Sequence, residues 1–386
     1  MRVTVHPAGD DACGLYRMVE PARVLAAQGA DVTVTRDLGY RVAFDRNHQP
    51  IALAETPDTD VVVLQRPLHA WKLGLIDVLQ RAGVAVVVEI DDDFGSVHPD
   101  NVAWLDAHRE WMTVDQWEAL GRPGPVDAEA EAPSGSRWVR VPSVLAPVSD
   151  LWLRRACKRA DLVTCTTPAL ASRYASHGRV AVLPNLVPAR YLETDAPTGG
   201  GVTVGWGGSV ATHPGDLTVT GGGVAQAVEE SGARFHVIGT GIGVRRALGL
   251  TAEPSATGWV ELDDWPQALA ALDVGIVPLA SGPFNEAKSA LKMLEYAAVG
   301  VASVVTPTPD NLRLAREGVG VVAESVEDWH RLVGATVRES DRRAELAGRG
   351  REVAAANTYE AHAGRWWDAW QSALDYRRHG RQEAAA

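Results

Sequence analysis

The chain has 386 residues, 46% of them hydrophobic, enough for two domains with separate cores, and no apolar run reaches the roughly 18 residues a membrane helix needs. Its formal net charge of −12 excludes a nucleic-acid backbone as principal partner, because phosphate chains bind basic faces; a local basic pocket for a small phosphorylated ligand is still allowed. Cys13, Cys157 and Cys165 show neither metal-ligand spacing nor an even count, and MRVTVHPAGD turns polar too soon for a secretory leader, so a reducing, cytoplasmic setting is expected.

In chain order, RVTVHPAG (2–9) reads as a buried strand and a loop, GLYRMVEPARVLAAQGA (14–30) as a helix stopping near Gly29, and DVTVT (31–35) as the next strand. DVVVLQRP (60–67) and VAVVVEIDDD (84–93) are β-branched runs that end in polar residues. Continuous apolar strands alternating with helices predict a parallel sheet covered on both faces. Residues 99–150, rich in Trp, acid, Pro and Gly, read as an insertion with a mobile loop. Helices at 151–160 and 168–178 then alternate with strands at 161–167 and 179–185, and 187–201 reads as an interdomain linker.

A second series follows, with strands at 202–208, 234–241, 257–262, 273–280, 301–307 and 318–323 and helices between most of them. Residues 340–380 are a helical tail and 381–386 a frayed end. The prediction is α/β: two tandem Rossmann-like, doubly wound domains, one over 1–187 with its insertion at about 99–150 and one over 200–358, then a helix at 359–380. Such folds bind ligands at the carboxyl ends of the strands, in the crevice.

Five stretches lie at strand ends. In SGPFNEAKSALKMLEYAAVG (281–300), Lys288, Lys292 and Glu295 follow at i, i+4 and i+7 and would share one helix face. With Ser289, the helix start is an anion site, and the glutamate is placed for ribose hydroxyls; the plain alternative is a surface ion pair and an N-cap. In GWGGSVATHPGDL (205–217), Gly207 and Gly208 permit close approach to a ligand while Ser209 and His213 offer hydrogen bonds; the alternative is a strand-to-helix turn with Asp216 near a helix start. In VEIDDDFGSVHPDN (88–101), Asp91, Asp92 and Asp93 repel one another unless they meet solvent, a cation or donors. They would bind a metal or, by preference, orient an acceptor hydroxyl and take its proton, unless they are merely a solvated strand end. In PAGDDACGLYR (7–17), Gly14 would approach a ligand and Arg17 reach into the crevice, unless this is a plain loop. VIGTGIGVRRALG (237–249) has a Gly-x-Gly-x-Gly that raises a nicotinamide alternative, but it sits in mid-domain and lacks the third glycine of that fingerprint.

ADLVTCTTPALASRYASHGRVAVLPNLVP (160–188), GWVELDDWPQALAALDVGIVPL (258–279) and LKMLEYAAVGVASVV (291–305), in this order, resemble the GT-B glycosyltransferases, most of all glycosyltransferase family 4 and its relatives. The resemblance implies an N-terminal acceptor domain, a C-terminal domain for a nucleoside-diphosphate sugar linked to UDP or GDP, and a last helix that crosses back, a packing role suited to Trp366, Trp367 and Trp370. It implies transfer with retention, no catalytic metal and no cofactor beyond the donor. The family carries two glutamates eight positions apart. Glu295 matches the second, which holds the ribose; the first falls on Ala287, so that Asn285 or Glu286 would touch the donor sugar instead. The family's diphosphate arginine falls on Gly208–Ser209, which leaves Lys288, Lys292 or His213 to supply charge. Its N-terminal histidine has no match, and Asp91–Asp93 occupy that strand end. The departures mark a divergent branch.

The expected activity is sugar transfer to an acceptor of unidentified class: a glycan, natural product, lipid or protein. Trp104, Trp111 and Trp117 would form the acceptor wall or simply pack under a loop. The rival readings are a sugar-nucleotide-binding protein without turnover, a nucleotide-sugar epimerase, and a nicotinamide-dependent oxidoreductase.

Overall fold

The computed structural model describes residues 1–380 apart from 37–41, 46–48, 56, 120–125, 127, 132–136, 143–147 and 195–199. Two six-stranded parallel sheets organise the chain. In the first, the strands lie in the order Val180–Val182, Leu162–Cys165, Ala85–Ile90, Val61–Gln65, Arg2–His6, Asp31–Val34. The central strands Val61–Gln65 and Ala85–Ile90 are buried throughout, which is why they read as unbroken apolar runs. In the second sheet the order is Ser255–Ala256, Arg234–Ile238, Thr203–Gly207, Val274–Val277, Ala302–Val305, Val321–Val322. In chain order that is 3-2-1-4-5-6, the doubly wound arrangement whose crevice opens where the order reverses, between Thr203–Gly207 and Val274–Val277. The edge strand is shorter and earlier than the predicted 257–262, because Gly258, with φ +81°, turns the chain there.

The first helix contains a wide turn. Residues Leu15–Val19 are π-helical between Ala12–Gly14 and Glu20–Ala27. Pro21 has no N–H to give to the Tyr16 carbonyl five residues back. The Tyr359 hydroxyl, from the C-terminal segment, takes that carbonyl at 2.5 Å. The Gly364–Asp375 helix continues onto the first sheet, with Trp366 and Trp370 buried and Trp367 packed against the core. Arg377 locks it there through an ion pair of 2.8 Å to buried Asp161.

The insertion has structure of its own where it is described. A helix at Val102–Ala107 precedes a three-stranded antiparallel sheet of Arg109–Thr113, Arg137–Pro142 and Ala128–Glu131; much of the predicted mobile loop lies outside the described residues. At its start, Val102 N–H and Asn101 Nδ2 donate to the carbonyls of Ala211 and Thr212, at 3.2 and 2.9 Å. The insertion therefore meets the second domain across the crevice.

Gly239, the first of the glycines at 239–243, has a packing explanation. A Cβ on Gly239, which has φ +125°, would lie 2.3 Å from the Gly208 carbonyl oxygen, whereas one on Gly241 would meet only the Ala256 Cβ at 3.4 Å. Gly239→Ala should therefore cost roughly 1–3 kcal/mol in urea unfolding while Gly241→Ala is nearly neutral. A dinucleotide-binding run would instead show the larger effect of Gly241→Ala on NAD affinity.

Candidate functional site

The N-terminal rim is built from charges that find partners. The Ala85–Ile90 strand stops before Asp91, and the three aspartates diverge. Asp91 accepts both prongs of the Arg66 guanidinium, one at 2.6 Å from Nε. Asp93 pairs with Arg173 Nη1 at 2.7 Å. Asp92, with 24% of its side chain exposed, faces the crevice and meets Lys288 Nζ at 3.5 Å from the opposite domain. The mutual repulsion expected of the run is thus relieved by three separate cations, and Asp91 and Asp93 do not act as one pair. Arg66 has φ +46°, rare for a residue with a side chain. The Cys13, Asp91 and Asp92 ligand atoms lie within 4.8 Å of one another, but Arg66 already holds the place a cation would take.

Two residues assigned to the crevice from sequence serve the fold instead. A Cβ on Gly14 would lie 2.2 Å from the Gly9 carbonyl oxygen, so this glycine allows the loop to fold on itself. Arg17 is buried rather than reaching out. It pairs with Glu89 at 2.8 Å and donates to the Leu183 carbonyl and Asn185 Oδ1 at 2.7 and 3.0 Å. Asn185 in turn donates to Ser289 Oγ at 2.7 Å, linking this buried pair to the crevice.

On the C-terminal side the helix of 281–300 is broken in two. Pro283–Glu286 forms one turn, and Leu291–Ala298 starts after Ala290, whose N–H goes to Asp310 at 2.7 Å. Lys288 and Ser289 therefore lie in the connection, not on the first helical turn, and the N-cap residue Ala290 makes no side-chain cap. Lys292 and Glu295 point inward. Half-buried Lys292 donates from Nζ to the Gly207 carbonyl, and desolvation pushes its pKa down. Glu295 Oε1 accepts from Trp265 Nε1 at 3.0 Å and from the Tyr16 hydroxyl, which also shares a 2.7 Å bond with Tyr191. Burial raises the Glu295 pKa against these bonds and Lys292. Oε2 has no hydrogen-bond partner among the described residues.

Close packing accounts for the glycine pair. A Cβ on Gly207 would meet the Trp265 ring at 2.6 Å, and one on Gly208 the Trp206 ring at 2.9 Å. Ser209 follows with its hydroxyl unpartnered among the described residues. His213 stands edge-on to Trp206 and bonds through Nδ1 to Asp216 Oδ2 at 2.9 Å. Asp216 Oδ1 accepts from Ala280 N–H and Asn285 Nδ2, both at 2.8 Å.

The structure thus brings Gly207, Gly208, Ser209, His213, Asn285, Lys288, Ser289, Lys292, Glu295 and Asp92 to one crevice. Glu286 is exposed and lies outside the cleft lining. Ala287 is buried among first-domain residues, with its carbonyl accepting from Thr167 at 2.8 Å, so a side chain there points away from the crevice. Trp104 stacks on His108 at 3.8 Å and Trp111 lies under Arg140. Sequence reasoning missed Tyr16, Arg66, Asp216 and Trp265. The signal for Asp216 was its spacing three residues after His213; the others have no local signal.

Comparison with known proteins agrees with this architecture. Residues 222–339 match the family described as "Glycosyl transferases group 1". No curated protein sequence matches the chain. Among solved structures it is similar to sucrose-phosphate synthase from Thermosynechococcus elongatus (TM-score 0.61, 12% identity, covering 100% of both chains). It is also similar to HepE of Anabaena in complex with UDP (TM-score 0.60, 12% identity, 96% of this chain and 100% of that one). Against the pneumococcal O-GlcNAc transferase GtfA in complex with UDP and GlcNAc the TM-score is 0.51 at 12% identity; 81% of this chain is covered and just over half, 57%, of that one. The chain has the GT-B fold, and its C-terminal half resembles the group 1 glycosyl transferases.

Proposed function

From the GT-B fold and that likeness, we propose that the chain transfers a sugar from a nucleoside-diphosphate sugar to an acceptor hydroxyl. The bond from half-buried Lys292 to the Gly207 carbonyl carries the reading. It joins the glycine loop to the helix of Glu295 and places a cation between them, where a departing diphosphate needs one. Glu295 Oε1 is held by Tyr16 and Trp265, which leaves Oε2 for a ribose hydroxyl. An incoming phosphate competes with Asp92 for Lys288, and Asp92, released, faces the acceptor hydroxyl. Transfer proceeds with retention and without a catalytic metal in this proposal, with Lys288 and Lys292 neutralising the leaving group. The tryptophans of the insertion stand on the acceptor side. No helix among the described residues is long and apolar enough to cross a membrane.

Calorimetry with UDP, GDP, TDP and NAD, wild type beside Glu295→Gln, tests the donor site. One diphosphate should bind, and the variant should lose about 10-fold or more, the worth of a hydrogen bond to a charged group. Binding of NAD alone, or equal binding by the variant, would sink the proposal. Ala287, in place of the first glutamate, favours a second reading: binding without turnover. Sugar release or transfer from the bound donor rules that out.

A further inference from the structure

The Glu295 carboxylate is held from outside its own domain. We propose that Tyr16 of the first domain is a positioning residue for the nucleoside: its hydroxyl, backed by that of Tyr191 in the linker, aims Glu295 at the ribose and keeps it ionised. The proposal rests on the glycosyltransferase reading and adds two residues to it, neither of which lies in the nucleotide-binding domain.

The direction of donation follows from the chemistry of the groups. Glu295 Oε1 accepts from the Tyr16 hydroxyl, 279 positions away in the chain, and from Trp265 Nε1 at 3.0 Å. An ionised carboxylate only accepts, so the one hydrogen of the Tyr16 hydroxyl goes to Glu295. In the 2.7 Å bond between the two tyrosines, Tyr191 is therefore the donor. Donation runs from Tyr191 through Tyr16 to Glu295, and each bond polarises the next. Both tyrosines are buried, so bulk water does not replace either hydroxyl.

Tyr16 is fixed at three points. It lies in the π-helical turn Leu15–Val19, a form that recurs at functional sites. Its carbonyl is taken by the Tyr359 hydroxyl at 2.5 Å, and its ring stands edge-on to Tyr191 at 6.4 Å. With backbone, ring and hydroxyl all engaged, the bond to Glu295 has one geometry, which leaves Oε2 toward the ribose.

The same bond governs charge. Burial raises the Glu295 pKa, and Tyr16, Lys292 and Trp265 oppose the rise, Tyr16 most of all. Glu295 thus takes up its proton above the usual carboxylate range, and without the Tyr16 hydroxyl it does so at still higher pH. Burial raises the pKa of Tyr16 and Tyr191 as well, so both stay donors throughout. Ribose hydroxyls bind an ionised acceptor about twice as strongly as a neutral one.

The test is calorimetry of the full chain with UDP, GDP and TDP between about pH 6 and pH 8, on wild type, Tyr16→Phe and Tyr191→Phe. Carboxylate ¹³C spectra of the nucleotide-free proteins are recorded in parallel, with Glu295→Gln identifying the signal. Tyr16→Phe keeps the ring and should bind the preferred nucleotide about 10-fold more weakly near pH 8. The ratio of variant to wild-type Kd should then grow as pH falls, because the variant carboxylate protonates first; titration of the diphosphate and of Lys292 is common to both proteins and cancels. Tyr191→Phe should move both readings the same way by less, and it decides the matter if Tyr16→Phe does not fold. Unchanged affinity, or a ratio that is flat with pH as lost packing alone would give, overturns the proposal while the glycosyltransferase reading stands. If wild type binds no nucleotide, that reading fails by itself. The spectra then decide: a higher Glu295 titration in Tyr16→Phe supports the tyrosine as the group that keeps Glu295 ionised, and an unmoved one overturns it.

Discussion

Glu89→Ala should destabilise the chain by about 3–5 kcal/mol in urea unfolding, the cost of leaving a buried charge without its partner. Glu89 lies in the fully buried Ala85–Ile90 strand, and Arg17, 1% exposed, meets it at 2.8 Å. The Leu183 carbonyl and Asn185 also bind the guanidinium but carry no net charge to replace the carboxylate. Arg17→Met with Glu89→Leu should recover most of the loss, because it removes both charges and keeps the volume. Disruption should also reach the crevice, since Arg17 orients Asn185 and Asn185 bonds to Ser289. A loss below about 1 kcal/mol for Glu89→Ala would mean that Arg17 is relieved by water, and that this pair does not anchor the first domain.

Lys292→Met should weaken nucleoside-diphosphate binding about 100-fold and cost about 1 kcal/mol of stability, for the lost bond to the Gly207 carbonyl. Methionine matches the aliphatic stem of lysine and buries no charge. What binding loses is the cation beside the phosphates; two charge-assisted hydrogen bonds from it to the diphosphate, of about 1.5 kcal/mol each, account for that factor. The pH dependence adds a second readout. Burial lowers the Lys292 pKa, so the cation is lost below the usual lysine range. Wild-type affinity should fall as pH rises through that value, and Lys292→Met should show no such fall. Unchanged affinity in the variant would remove Lys292 from the donor site.

Ser209, Lys288, Lys292 and Glu295 were legible because a ligand crevice at parallel strand ends follows from the order of strands and helices. Their spacing was less informative. The 281–300 helix breaks at 287–290, where Ala287 packs into the first domain and Asp310 takes the Ala290 N–H, so the expected single face of Lys288, Lys292 and Glu295 does not form. Gly14 and Gly239 stood out as glycines, but the atoms that demand them are the carbonyls of Gly9 and Gly208.

By itself the sequence determined the two parallel sheets and the crevice between them, because unbroken β-branched strands alternating with helices are stable only when both faces of a sheet are covered. It also determined which polar residues stand at the strand ends. The tertiary structure alone decided what those residues do. Arg17 meets Glu89 72 positions away, Lys288 meets Asp92 196 away, and Tyr16 meets Glu295 279 away. Spacing along the chain sets which face of an element a charge occupies, but only the tertiary fold, within a domain or across the two, sets which partner waits there. A buried charge takes its role from that partner.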